Sequence, residues 1–198
     1  MRPRRGLIAV IVGIVVAVTG CANDDKGGQT IPSSKPYNDA DVAFATDMIQ
    51  HHAQALTMVD HTMGRDLDPE VAALAEGIRT RQTPEIQEMV GLLNSWDHQS
   101  IPETSRDHAN VHGGDGAEMN ADLPGMLTSE DVQALEDASD SEVQDMWLDM
   151  MIKHHEGAIA MASAEQDDGK DKAATALAAE IVKTQKAQVR SMQGLLDG

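Results

Sequence analysis

Residues 44–93 of this chain align with residues 147–196 at a constant offset of 103 positions, without a gap. Met48-Ile49 matches Met151-Ile152, His51-His52 matches His154-His155, and Ala55 and Met58 match Ala158 and Met161. Ala73-Leu74-Ala75, Ile78, Gln82 and Met89 match Ala176-Leu177-Ala178, Ile181, Gln185 and Met192. Roughly a third of the aligned positions are identical, and a period this long marks a duplicated supersecondary unit rather than a solenoid module. Ala, Leu, Met, Gln and Glu dominate both copies and favour helix. One helical hairpin cannot bury both of its faces. The duplication therefore predicts an all-α chain in which two hairpins pair as a four-helix bundle.

Punctuation in the sequence places the helices. Asn38 or Asp39 caps the first, which runs to about Met63 with Gly64 as its stop. Asp68, Pro69 and Glu70 start the second, which reaches about Trp96 with a kink or short break expected at Pro84. Residues 97–127 lose periodicity and contain Gly113-Gly114, Gly116 and Pro124-Gly125. Thr128 opens a short helix to about Ala138. Ser139-Asp140-Ser141-Glu142 reads as a capping box for a third long helix ending near Glu165. Gly169 separates it from a last helix over Asp171–Leu196. The expected organisation is hairpin 1 over 38–96, linker and short helix over 97–138, and hairpin 2 over 139–198.

The N-terminus has a different character. A basic Met1–Arg5 precedes an apolar run, Leu7–Val18, of signal-peptide length. Val18-Thr19-Gly20-Cys21 looks like a lipobox. That resemblance implies a signal over 1–20, cleavage before Cys21 and lipid on its thiol, which anchors the protein to the outer face of the membrane. Cys21 is the one cysteine of the chain, so the mature protein has no disulfide and no thiolate metal site. Residues 21–37 read as a flexible tether. The net charge of −18 repels nucleic acid and attracts cations.

The histidine doublets carry the candidate chemistry. At about 100° per residue, Phe44, Met48, Ala55, Val59, Leu56 and His52 share one face of the first helix, and His51 lies at its edge beside Met58 and Asp47. Trp147, Met151, Ala158, Ala162, Ile159 and His155 repeat the face, with His154 at its edge beside Met161 and Met150. Met48 and Met151 each precede an inward histidine by four residues, a spacing at which side chains can share a ligand. Pairing of the hairpins would gather up to four imidazoles and several thioethers. Imidazole suits copper, zinc, iron or nickel, and thioether selects monovalent copper. The same pattern also suits core packing: buried histidines with satisfied hydrogen bonds, and methionine as filler.

Phe44-x-x-Asp47-Met48-x-x-His51-His52-x-x-Ala55-x-x-Met58 resembles the signature of the bacterial domain-of-unknown-function family 305. Pro124-Gly125-Met126 and Met150-Met151-Ile152-x-His154-His155-x-Gly157-Ala158-Ile159-x-Met161 resemble its second half. The resemblance spans residues 38–198. It implies a ferritin-like four-helix bundle, often exported, with copper binding through Met and His in some members. Asp47, opposite Met150, and Pro84 depart from a symmetric pattern.

Three functions fit these residues. The first is a lipid-anchored copper-binding protein for storage, buffering or handover. Its metal ligands would be His51, His52, His154 and His155, with Met48, Met58, Met151 and Met161 as thioether ligands or soft surroundings; another transition metal is the variant of this reading. The second is a metal-free structural or interaction module with an envelope protein partner. The third is a redox enzyme using the same site. The Glu-x-x-His motif of di-iron oxidases is missing, and no phosphate loop or nucleophile elbow occurs. His98, His108, His112, Met119 and Met126 form a candidate metal-collecting linker. His61 and Met63, without counterparts in the repeat, read as surface residues.

Overall fold

The computed structural model describes residues 35–98, 102 and 122–198. The segments expected to be a signal peptide and a tether, the latter apart from its last residues, and most of the 97–127 linker, with His108, His112 and Met119, lie outside the described residues. Among these there are five helices and no strand: α1 (Asp39–Asp60), α2 (Pro69–Ser95), α3 (Ser129–Asp137), α4 (Val143–Asp168) and α5 (Lys172–Leu196). Each long helix packs on its hairpin partner, α1 on α2 and α4 on α5. The hairpins then meet along α1 with α4 and α2 with α5. No helix among the described residues is long and apolar enough to cross a membrane.

Local chemistry sets the ends of most elements. Asn38 and Asp41 form a reciprocal capping box on α1, and Thr128 and Asp131 form another on α3. α1 ends three residues earlier than expected, at Asp60, and Gly64 takes the left-handed turn at φ +76°. The capping box expected at Ser139 does not form around the backbone. Instead the Ser139 hydroxyl donates to the Glu142 carboxylate, and Val143 N–H donates to the Ser139 carbonyl at 2.9 Å. The break expected at Pro84 is also not there: α2 runs unbroken through it. An interior proline costs about 3 kcal/mol or more. Here its neighbours Gln82, Glu85 and Ile86 are buried against other helices, and tertiary packing holds the helix together.

The hairpins clasp each other at equivalent places. Asp41 on α1 accepts the backbone N–H groups of Lys170 and Asp171, in the α4–α5 connection, at 2.9 Å each. Its repeat counterpart Gln144 on α4 grips Asp68, in the α1–α2 connection, accepting from its N–H at 2.8 Å and donating to its carboxylate at 3.0 Å.

Apolar packing divides into two clusters. One holds Phe44, Ala45, Met48 and Ile49 of α1, Ile86, Met89 and Leu93 of α2, Ala158 and Ala162 of α4, and Leu177, Ala178 and Ile181 of α5. The other holds Ala55, Met58 and Val59 of α1, Ala75 and Ile78 of α2, Trp147, Leu148 and Met151 of α4, and Val189 and Met192 of α5. Along every long helix, the buried side chains between the two sets are polar.

Candidate metal centre

That intervening layer consists of His51 and His52 on α1, Gln82 and Glu85 on α2, His154 and His155 on α4, and Gln185 and Gln188 on α5. All but Gln188 are buried, and the four histidines are at most 1% exposed. The layer exists because each helix carries polar residues at inward positions midway along its apolar stripe, and the duplication places them at one level. His51 and His154, expected at the edges of their faces, are fully enclosed because α1 and α4 pack edge to edge there. Their rings meet with centroids 3.8 Å apart and planes tilted by 43°. His154 and His155 have centroids 6.5 Å apart.

The outer hydrogen bonds orient three of the rings. His51 Nε2 donates to the Pro124 carbonyl at 3.0 Å. A carbonyl only accepts, so the proton sits on Nε2 and the Nδ1 lone pair of His51 faces inward without a partner. His52 Nε2 donates to the Glu85 carboxylate at 2.9 Å, the arrangement in which a carboxylate orients a metal-binding imidazole. His155 Nε2 pairs with Gln188 Oε1 at 3.0 Å. Glu85 and Gln188 are repeat counterparts, each 33 residues beyond the histidine it holds.

The inner face of the layer is short of partners. Nδ1 of His51, His52 and His155, both ring nitrogens of His154, and both amide atoms of Gln82 and Gln185 are buried without a hydrogen bond. Each such group costs about 1–3 kcal/mol when left unpaired. Burial, then the neighbouring His52 charge, push His51 down to about 3, against the Pro124 bond. Burial is the first cause for His155 too, at about 4, and for His154, which lies well below the usual imidazole range with His51, His155 and His52 adding to the effect. These three rings are neutral at pH 7, with lone pairs available to a metal.

The methionines flank the layer. Met48 and Met151, one turn before their doublets, are fully buried in opposite apolar clusters; Met58 is buried with Met151, and Met161 is half-buried against the Met48 cluster. The structure brings His51 and His154 into contact but does not converge all four imidazoles on one point. Among the described residues, no three His, Cys, Asp or Glu side chains are arranged to hold a metal by themselves. His52 and His155 are held at Nε2 by Glu85 and Gln188. The donor types, imidazole nitrogen and thioether sulfur, are ones a soft cation accepts. Met63 is 66% exposed, as a surface residue should be.

Sequence reasoning missed four parts of this layer: Glu85, Gln188, and the unpartnered amides of Gln82 and Gln185. It also missed the strap formed by residues 122–128. Gln54 exchanges two hydrogen bonds with the Leu127 backbone, at 3.0 and 2.8 Å. Gln54's counterpart is Gly157, where a Cβ would lie 1.9 Å from the Pro124 carbonyl oxygen. The available signal was the repeat itself, since Gln82 and Glu85 have the polar counterparts Gln185 and Gln188 103 residues away.

A fold with this paired histidine layer can be matched to known proteins. The model of the domain-of-unknown-function family DUF305 matches residues 41–196. The chain belongs to this family. A DUF305 fragment from Deinococcus radiodurans is 29% identical, covers 82% of this chain and 99% of its own, and superposes with a TM-score of 0.68. A DUF305 protein from Streptomyces coelicolor is 28% identical, with coverage of 80% and 91% and a TM-score of 0.65. CopM, solved in a Cu(I)-bound form, shares the fold at 23% identity, with coverage of 79% and 95% and a TM-score of 0.62. No curated protein matches the chain.

Proposed function

We propose that this DUF305 protein binds copper outside the cytoplasm, for storage, buffering or handover, while tethered to the membrane by lipid on Cys21. The observation that carries the reading is the buried layer of imidazoles in which Nδ1 of His51 and His52 and both ring nitrogens of His154 have no hydrogen-bond partner. His51 and His154 are the primary ligands, completed by His52 and His155 as the ion draws them inward. Met48, Met58, Met151 and Met161 supply thioethers or a soft wall that favours the monovalent ion. CopM, which shares the fold, has been solved with Cu(I), Cu(II) and silver, and supports the choice of metal. The Streptomyces relative is described as a candidate secreted protein, consistent with export through a signal over residues 1–20. Residues 21–37 are the tether, and 38–198 form a ferritin-like four-helix bundle made by duplication.

A second reading has its own observation. Three of the four histidines already have a protein partner on Nε2, so the layer also suits a metal-free role, fixing the register of two hairpins beneath an interaction surface. Competition of the purified full chain against a chromophoric monovalent-copper chelator separates the two. Copper binding predicts stoichiometric withdrawal of the ion by the wild type, and a loss of about 10-fold or more in affinity for His154→Leu, as ligand-shell changes give elsewhere. No withdrawal by the wild type, or an unchanged titration for His154→Leu, favours the packing role.

A further inference from the structure

Over His51 the histidine layer is covered by irregular chain rather than by helix. Pro124 of the strap is exposed to solvent, while its carbonyl accepts from the completely buried His51 Nε2 at 3.0 Å. The cover at that nitrogen is therefore one residue thick. The ring beneath it leads directly to the unpartnered nitrogens of the layer. His51 has no partner on Nδ1, its ring lies 3.8 Å from that of His154 between centroids, and His154 has no hydrogen bond on either nitrogen.

The strap is fastened differently along its length. Leu127 is a fixed point: its side chain is buried in the second apolar cluster, its backbone exchanges two hydrogen bonds with Gln54, and the cap of α3 follows at Thr128. Pro124 and Gly125 instead rest on the backbone of α4. A Cβ on Gly157 would lie 1.9 Å from the Pro124 carbonyl oxygen, and one on Gly125, at φ +75°, would lie 2.6 Å from the Lys153 carbonyl oxygen. Surfaces that meet through bare backbone can part without repacking a core side chain, and a turn anchored at one end is a ready hinge. The donors at this entrance also suit the ion. Imidazole lies beneath it, and half-buried Met126, on the same segment, adds a thioether.

We propose that the Pro124–Gly125 turn is the gate of the histidine layer, hinged at Leu127, and that copper reaches the His51/His154 pair when this turn lifts off Gly157. This rests on the copper reading above. With the turn seated, the Pro124 carbonyl occupies the outward nitrogen of His51 and leaves the Nδ1 lone pair on the inner side. Lifting breaks that hydrogen bond, and water takes up the two groups it exposes. The incoming ion binds Nδ1, so Nε2 keeps its proton and the turn closes again on the same imidazole. The hydrogen bond that shuts the gate is thus also the one that fixes the metal-binding tautomer of His51.

Stopped-flow loading of the full chain from a monovalent-copper chelator complex tests the gate, because the rate constant reports access and the amplitude reports the site. Gly157→Ala pushes the turn away from the α4 side. Gly125→Ala pushes it from the strap side and leaves every helix unchanged in sequence. Each should raise the loading rate constant by about 5-fold or more, the change in open population that one hydrogen bond governs, with the amplitude kept. In the apo protein each should also speed solvent exchange of the His51 Nε2–H, read by NMR. Gln144→Ala loosens the hairpin clasp at Asp68, away from the strap, and should load at the wild-type rate. Wild-type rate constants in both glycine variants, or an equal acceleration by Gln144→Ala, overturn the gate while leaving the copper reading intact. A wild type with no amplitude overturns both.

Discussion

Hairpin 1 and hairpin 2 began as one design and now do different work at three equivalent positions around the histidine layer. Gln54 grips the strap by hydrogen bonds, whereas Gly157 makes room for it by having no side chain. His51 is capped by Pro124, whereas His154 has no hydrogen bond on either nitrogen. Glu85 brings a charge to the layer, whereas Gln188 brings an amide. The strap passes over α1 and α4 only once, so it cannot treat the two copies alike. A single non-repeated segment is enough to break the symmetry of a site built from repeated parts.

The comparison can be broken first at the strap. Gly157→Ala puts a methyl into the Pro124 carbonyl and should destabilise the protein by about 2–3 kcal/mol, the upper range for overpacking. Gln54→Ala loses two hydrogen bonds and leaves Leu127 backbone groups unpaired, for a loss of about 1–3 kcal/mol. Chemical denaturation ranks the two; equal and negligible effects would mean that the strap does not hold the hairpins together.

The histidine pair gives the next contrast. His51→Leu orphans the Pro124 carbonyl and should cost about 1–2 kcal/mol in the apo protein. His154→Leu removes two unpaired buried nitrogens and should leave apo stability equal or raised. A larger loss for His154→Leu than for His51→Leu in thermal unfolding would reverse the assignment.

The smallest expected effect concerns pH, and it separates the layer from one end of the molecule. His51, His154 and His155 have folded values depressed below the ordinary 6.5, so their contribution is complete above that pH and is lost as pH falls toward 4 and 3. Glu165 behaves oppositely. Burial, reinforced by Asp41 and the nearby Asp171 and Asp168, pushes it up to about 8 from 4.5. Asp41 is the ionised partner, since backbone N–H groups of Asn38, Lys170 and Asp171 lower it against its own burial. The Glu165 contribution is therefore complete below 4.5 and is lost as pH rises to 8. Apo stability should peak near pH 6.5. Glu165→Gln should remove the alkaline decline, about 1 kcal/mol between pH 6.5 and 8, and leave the acid limb in place. Melting curves from pH 4 to 8.5 measure both limbs; an unchanged alkaline limb in Glu165→Gln would refute the raised value of Glu165.

Much of this molecule was legible before any coordinates. The 103-residue repeat, the 3.6-residue periodicity and the caps at Asn38 and Thr128 are local or self-referential signals, and they placed the helices to within a few residues. The histidine doublets stood out because they occur twice. The break weighed at Pro84 does not occur because propensity describes an isolated helix, and burial of its neighbours outweighs the missing hydrogen bond.

What sequence alone determined was which residues share a helix face, since that depends only on spacing along one chain. Only the tertiary structure decided that His51 touches His154, that Glu85 and Gln188 bind His52 and His155, and that Pro124 lies on Gly157. Those facts depend on how helices distant in the chain are juxtaposed. Contacts between such elements are fixed by packing and by which buried polar groups find partners, and no local pattern encodes them.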